Sequence, residues 1–222
     1  MLTLAVDTTA EFGSIALADN SGIVEEVLLH ETNGFSGSLF GQIEALLHRR
    51  EIALEQIDLF AGASGPGSFT GVRVGLAAIK GLAEVLSKPA AAISNLEALA
   101  SFGTSSNRAT VIDARRGEIY GALYDDKGHP LIDETVIQFP AFLTLLGEQE
   151  FEWICTDFAP FHAAIAGTHF EHRPVVAAPR ALAGSIARIA LARLTAGEPC
   201  EPAVLEANYV RRSDAELLWK TF

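Results

Sequence analysis

The apolar positions first recur at the spacing of strands. Residues 2–8 form an apolar run closing on Asp7-Thr8-Thr9, and residues 13–18 and 23–30 follow across the turn Asp19-Asn20-Ser21-Gly22. The period then lengthens. From about Ser36, Leu39, Ile43, Leu46 and Leu47 share one helical face, with Glu44, His48, Arg49 and Arg50 away from it. A strand over 59–63 runs into Gly65-Pro66-Gly67-Ser68-Phe69-Thr70-Gly71, and a long helix from about 70 to 87 comes next. Residues 90–93 read as a strand and 95–102 as a short helix capped by Ser94 or Asn95. Gly103-Thr104-Ser105-Ser106-Asn107 has the composition of a linker and divides the chain into domains 1–103 and 104–222.

After that linker the pattern restarts. Setting Asp7 against Asp113 also matches Ala16 with Ala122, Leu17 with Leu123, Asp19 with Asp125 and Gly22 with Gly128. A helix over 139–146, strands over 153–157 and 175–178, and a long helix over 182–196 complete the second half. The expectation is an α/β fold made of a duplicated βββαβα unit, two sheets with helices packed on them.

Charge and composition narrow the function classes. The 28 Asp+Glu and 16 Lys+Arg give a net charge of −12, shared between the halves as −7 and −5. Neither half is a basic lobe, so tight binding of nucleic acid by this chain alone is disfavoured. With 49% hydrophobic and 20% charged residues, the chain can fill a core. No charged n-region opens the sequence, and Asp7 interrupts the first apolar run. No membrane-length apolar stretch occurs, and Cys155 and Cys200 match no metal spacing. These features predict a cytoplasmic protein.

The Gly65–Gly71 loop stands where helix-start N–H groups could hold an anion. It fits neither phosphate pattern: Val72 replaces the P-loop lysine, Thr70 a dinucleotide-loop glycine, and Pro66 lacks an N–H. Loop chemistry favours a structural turn that seats the next helix. On that helix Arg73, Lys80 and Glu84 cluster on one side, and an apolar or glycine arc of about 220° covers the rest, about twice what one core needs. Such a helix is buried on two sides, either between layers of one domain or against another chain. The second is favoured, through Gly71, Val74, Gly75, Ala78, Leu82 and Val85.

Asp7 and Asp113 end the first strands of the two halves, where either could serve a phosphotransferase or merely close a strand into a turn. His169 and His172 lack a third ligand at recognisable spacing, and His162 reads as surface or filling. Ser64, Ser68 and Ser94 have no base placed beside them by sequence, and no G-x-S-x-G elbow occurs.

Taken together, Leu4-Ala5-Val6-Asp7-Thr8-Thr9, the run from Gly65 through Thr70-Gly71-Val72-Arg73-Val74-Gly75-Leu76, and Ser94-Asn95-Leu96-Glu97-Ala98-Leu99-Ala100 resemble the bacterial TsaB (YeaZ) family. Ile112-Asp113-Ala114-Arg115-Arg116-Gly117-Glu118-Ile119-Tyr120 and Ala207-Asn208-Tyr209-Val210-Arg211 extend the likeness over nearly the whole chain. The resemblance implies a duplicated ribonuclease-H-like fold of the actin, sugar-kinase and heat-shock class. It also implies a non-catalytic dimerisation subunit in the installation of threonylcarbamoyladenosine in tRNAs that read codons starting with A. The implied partners are a TsaD-like catalytic subunit, a TsaE-like ATPase and, when alone, a second copy. ATP and a metal would then belong to those partners, tRNA would be contacted mainly through them, and no membrane would be involved. Two departures stand out: the helix-start histidine usual in the family is absent from Asn33-Gly34-Phe35-Ser36-Gly37-Ser38-Leu39, and the Pro-x-Tyr-Leu-Arg tail reads Ala207-Asn208-Tyr209-Val210-Arg211.

The rival readings are a sugar-kinase-like phosphotransferase using Asp7 or Asp113 with ATP and magnesium, and a glycoprotease-type metallopeptidase. Arg115, Arg116, Arg211 and Arg212 are further candidates for touching tRNA or a partner, and 215–219 for a short docking helix.

Overall fold

Two five-stranded sheets with one connectivity organise the chain, in a computed structural model that describes residues 1–210. The expected helix at 215–219 and the arginines at 211 and 212 lie outside the described residues. The first sheet holds β1 (Leu2–Asp7), β2 (Phe12–Asp19), β3 (Gly22–His30), β4 (Leu59–Gly65) and β5 (Ala90–Ser94), in the order β3-β2-β1-β4-β5. The second holds β6 (Asn107–Arg115), β7 (Glu118–Asp125), β8 (Pro130–Gln138), β9 (Glu152–Cys155) and β10 (Val175–Ala177), in the order β8-β7-β6-β9-β10. In each, the first three strands pair antiparallel and the last two join in parallel. The duplicated α/β architecture read from the sequence is therefore present, and the strands expected at 90–93 and 175–178 form the fifth strand of each copy.

The repeated turn residues have a shared cause. Asp19 accepts hydrogen bonds from the Ser21 N–H (2.7 Å) and hydroxyl (2.6 Å), and Asp125 accepts from the N–H groups of Lys127 (2.9 Å) and His129 (2.8 Å). Both aspartates thus fold the chain back into the next strand with a side-chain oxygen in place of a backbone one.

The chain divides into two compact units, Met1–Ala98 with Arg180–Asn208, and Leu99–Pro179. In the first, α1 (Leu39–Arg49) and α2 (Phe69–Leu86) cover one face of the sheet, burying Leu4, Val6, Ile15, Leu17 and Phe60 with Ile43, Leu46 and Ile79. The short α3 (Asn95–Ala100) follows β5 directly. The opposite sheet face carries Ala5, Ala16, Ala18, Ala61 and Ala63, all buried.

Against that alanine face packs α6 (Ala183–Thr195), the long helix that sequence order assigned to the second half within 104–222. Its buried residues are Ala183, Gly184, Ser185, Ala187 and Ala190 together with Ile186 and Leu191, so mostly small side chains meet the alanines of the sheet and allow a close approach. The helix start is held by the first unit as well: Ser14 Oγ accepts from the N–H groups of Leu182 (3.0 Å) and Ala183 (2.9 Å), and Glu26 from Gly184 (2.7 Å). Arg193 forms a two-pronged bond to Glu97 at 2.7 and 2.6 Å.

The second unit is aromatic where the first is aliphatic. α4 (Phe139–Leu146) packs on β7 and β8, and Trp153 lies fully buried among Phe139, Phe151, Phe158 and Phe170. Between β9 and β10 its one α-helix is the four-residue α5 (His162–Ile165), where the first unit has the eighteen-residue α2. Residues 103–107 are tied down: the buried Glu152 carboxylate accepts from the N–H groups of Thr104 and Ser105, the latter at 2.7 Å. Burial alone would raise the Glu152 pKa, yet the combined bonds from Ser105 and Thr104 hold it below the usual value. No helix among the described residues is long and apolar enough to cross a membrane.

Candidate functional site

At the end of β1, Asp7 is buried, with both carboxylate oxygens engaged. One accepts from the Thr9 N–H (2.9 Å) and hydroxyl (2.6 Å), the other from Asn95 Nδ2 (3.1 Å). Asn95 also donates to Thr9 Oγ1 (2.9 Å), and its carbonyl accepts from the Gly65 N–H (3.1 Å). Burial raises the Asp7 pKa by more than the bonds from Thr9 and Asn95 lower it. Asp7, Thr9 and Asn95 therefore form one knot fastening β1, β4 and α3 together.

The Gly65–Gly71 segment is fastened to the same knot. The Ser68 N–H donates to the Thr9 carbonyl (2.6 Å), and Ser68 Oγ caps α2 by accepting from Gly71 N–H (3.3 Å). With the Gly65 and Val72 N–H groups also engaged inside the unit, this loop works as a helix seat. Phe69 sits under the Arg73 guanidinium, which stands 3.6 Å from its ring centroid.

α2 runs on with two unlike sides. Gly71 and Gly75 face β1: Thr8 Oγ1 donates to the Gly71 carbonyl (2.7 Å), a Cβ on Gly71 would run into the Thr8 carbonyl, and one on Gly75 would stand 2.6 Å from Thr8 Oγ1. Gly75 and Ala78 are buried, and Gly71 is half-buried. This changes the reading of the small stripe, because the close approach that glycine permits is used on the chain's own first strand. Of the six positions singled out as a partner face, Val74, Leu82 and Val85 have surface to offer, and Val85 is 84% exposed. The outward side adds Ala77 and Gly81, both exposed. Beside it, Phe40, Ile43, Glu44, Leu47, His48, Ile52, Leu54 and Leu82 line a groove of about 420 Å³ between α1 and α2, with Phe40 57% exposed.

In the second unit, Asp113 is exposed, and among the described residues its carboxylate accepts from the Arg115 N–H (2.7 Å) in the β6–β7 turn and from no other group.

Residues 30–178 match the family described as TsaD: tRNA N6-adenosine threonylcarbamoyltransferase. The tRNA threonylcarbamoyladenosine biosynthesis protein TsaB of Bacillus subtilis (strain 168) is 31% identical over 156 residues, 68% of each chain. This chain belongs to the TsaB (YeaZ) family. The TsaB protein of Escherichia coli (strain K12) is 35% identical over 134 residues, and the matched stretch is 58% of either chain. YeaZ from Pseudomonas aeruginosa superposes with a TM-score of 0.75 at 25% identity, over 94% of this chain and 99% of that one.

For a TsaB-family chain, the knot and the helix divide the labour. Three of the roughly four acceptor sites of the Asp7 carboxylate are taken by Thr9 and Asn95 of its own unit, so its hydrogen bonds organise loops. Among the described residues no group of three His, Cys, Asp or Glu could hold a metal ion. His169 and His172 do not converge with a further ligand, and His169 Nε2 lies 3.2 Å from the Gly147 carbonyl. His162 packs edge-on against Phe158. Ser64 is buried beneath the chain's own backbone, its carbonyl accepting from Asn208 N–H (2.8 Å).

Three contributors escaped the sequence reading. Asn95 was readable only as a helix cap, although an amide right after an apolar strand is the signal of a buried polar partner. Phe40 lies off the α1 apolar stripe, and an aromatic on the wet side of an amphipathic helix marks a candidate contact. Ala77 fell at the margin of the arc, and its neighbourhood with Gly81 shows only once the azimuth of α2 against its sheet is fixed.

Proposed function

We propose that this chain is the non-catalytic scaffold subunit of a complex that installs threonylcarbamoyladenosine beside the anticodon of tRNAs reading codons that start with A. It docks on a TsaD-like catalytic subunit through the outward side of α2 and the adjoining α1 groove, and pairs with a second copy when that subunit is missing. A TsaE-like ATPase completes the assembly, so ATP and metal chemistry belong to the partners, and tRNA meets mainly them.

The observation that carries this reading is the uncovered side of α2. A helix whose mean composition is apolar turns Val72, Gly75, Leu76 and Ile79 inward and still leaves Ala77, Gly81, Val85 and neighbouring Phe40 facing out. Contiguous apolar surface of this kind, rimmed by Arg73, Glu84 and Glu44, favours a protein partner.

The test is Ala77→Arg with Val85→Asp. Both side chains start exposed, so the isolated protomer stays folded by circular dichroism, while affinity for the TsaD-like subunit falls at least about tenfold. Co-purification at wild-type yield would overturn the docking face. Reconstitution of the modification with and without this chain, scored for modified adenosine, tests the role itself.

A further inference from the structure

One charged feature of the second unit takes no part in that docking face. The β6–β7 hairpin closes through Arg115, Arg116 and Gly117, whose φ angles are 64°, 56° and 77°. Arg115 lies opposite Glu118 in the β6–β7 register, so Arg116 and Gly117 are the two central residues of the turn, both left-handed. Asn-Gly is the sequence such a turn prefers, and an arginine there keeps a strain that asparagine would relieve. The tip is held from behind: Phe139 N–H donates to the Gly117 carbonyl (3.4 Å), and Asp113 accepts from Arg115 N–H.

Both guanidinium groups are exposed, and neither has a side-chain hydrogen bond, ion pair or ring partner among the described residues. Exposed Arg188 is also without such a partner, but the hairpin sets two such arginines side by side in a chain where carboxylates outnumber cations 28 to 16. Arg49 and Arg50 pair with Glu25, Arg173 with Glu150 and Arg193 with Glu97. Asp113 and Glu118 flank the hairpin arginines in sequence, yet neither binds their guanidinium groups. A strained, fixed tip therefore presents two adjacent unpaired forks.

We propose that the Arg115–Arg116 hairpin is an RNA contact, gripping phosphodiester oxygens of the tRNA; this rests on the tRNA-modifying role proposed above. A guanidinium binds phosphate through two parallel N–H bonds, and a rigid turn lowers the entropy lost in doing so. An acidic protein segment is the other ligand that arginines attract. Phosphate is favoured because the carboxylates nearest in sequence leave both forks open. On a chain of net charge −12 the contact supplements the partner's grip and does not replace it.

The experiment uses the full chain assembled with its TsaD-like subunit and an unmodified tRNA reading a codon that starts with A, with binding followed by fluorescence anisotropy from 50 to 200 mM salt. The variant is Arg115→Asn with Arg116→Asn, which suits the left-handed turn and so raises the melting temperature of the chain. Assembly stays intact, tRNA affinity falls about fivefold to tenfold, and the slope of log affinity against log salt becomes shallower by about 1–2. Arg115→Lys with Arg116→Lys keeps the wild-type slope. Wild-type affinity and slope in the asparagine variant would overturn the contact, and so would loss of assembly, which would assign the hairpin to a protein surface. A wild-type complex that yields no modified adenosine would instead overturn the role of the chain, a result read from product and not from salt dependence.

Discussion

Asp7 and Asp113 hold the same place in two copies of one topology and live in opposite surroundings. The first is buried, bound by Thr9 and Asn95, and fastened to the loop that seats an eighteen-residue helix; the second is exposed and shapes a turn. The difference originates in the segment beyond the neighbouring parallel strand. In the first unit β4 leads into Gly65–Gly71 and α2, and α2 needs a fixed start if its outer side is to be a reliable surface. In the second unit β9 leads to a single turn of helix, and an aromatic cluster fills the space. Duplication kept the sheet in both halves, while the long helix with an uncovered side was built on one.

The severest way to break the comparison is at the contact between α2 and β1. Gly71→Val drives branched carbons into the Thr8 carbonyl, which is backbone and cannot swing aside. It should cost about 4 kcal/mol, read as a lower urea midpoint of the isolated chain. A midpoint within error of wild type would mean that α2 is not seated on Thr8.

The two aspartates themselves come next. Asp7→Ala leaves the Thr9 N–H and hydroxyl and the Asn95 amide without their acceptor in a buried setting, and should cost about 3 kcal/mol. Asp113→Ala removes one exposed turn bond and should cost about 0.5 kcal/mol. Chemical denaturation of the pair measures both, and equal losses would erase the distinction between the units.

Acid sharpens it further, because the buried carboxylates of the two units respond with opposite sign. Glu152 is held below its ordinary pKa, so it contributes stability that is present above about 4.5 and lost as pH falls through its lowered folded value. Asp7 is held above its ordinary value, so the folded state takes up a proton first, and its contribution improves as pH falls through the raised value toward 3.8. Thermal melts from pH 7 to pH 3.5 should therefore show the gap between wild type and Glu152→Gln narrowing with acid. The gap between wild type and Asp7→Ala should widen. Parallel trends would contradict the assigned environments.

Much of this was legible in the amino-acid order, and the illegible parts have physical reasons. The repeat was visible because Asp19 and Asp125 each make a turn whose chemistry sits in one side chain, and β2 and β7 keep the same offset as Asp7 and Asp113. The breadth of the apolar arc on α2 was visible, but not its azimuth. Periodicity says how wide a stripe is and leaves open which part meets the sheet, so Gly71, Gly75 and Ala78 read as a partner face although they pack inward. α6 was misplaced for a related reason. Its face of Ala, Gly and Ser fits any shallow apolar surface, and only the alanines of the first sheet, with Ser14 and Glu26 at its start, decide where it lies. Asn95 needed three partners far apart in sequence, which no local pattern encodes.

The smallest change reads the azimuth directly. Gly81 lies two to three turns beyond Gly71 on the same helix, and a Cβ built on it meets nothing within 4 Å. Gly81→Ala therefore adds a methyl to open space and removes the backbone freedom that glycine brings to a helix interior. It should stabilise the isolated chain by about 0.5–1 kcal/mol, a rise in melting temperature of roughly 1–4 °C. Among the described residues the second unit has no counterpart of this helix, so the gain belongs to the first unit alone. Were Gly81 turned toward β1 as Gly71 is, the same methyl would lower the melting temperature. The sign of so small a shift thus decides which glycines of α2 serve the chain's own fold and which face outward.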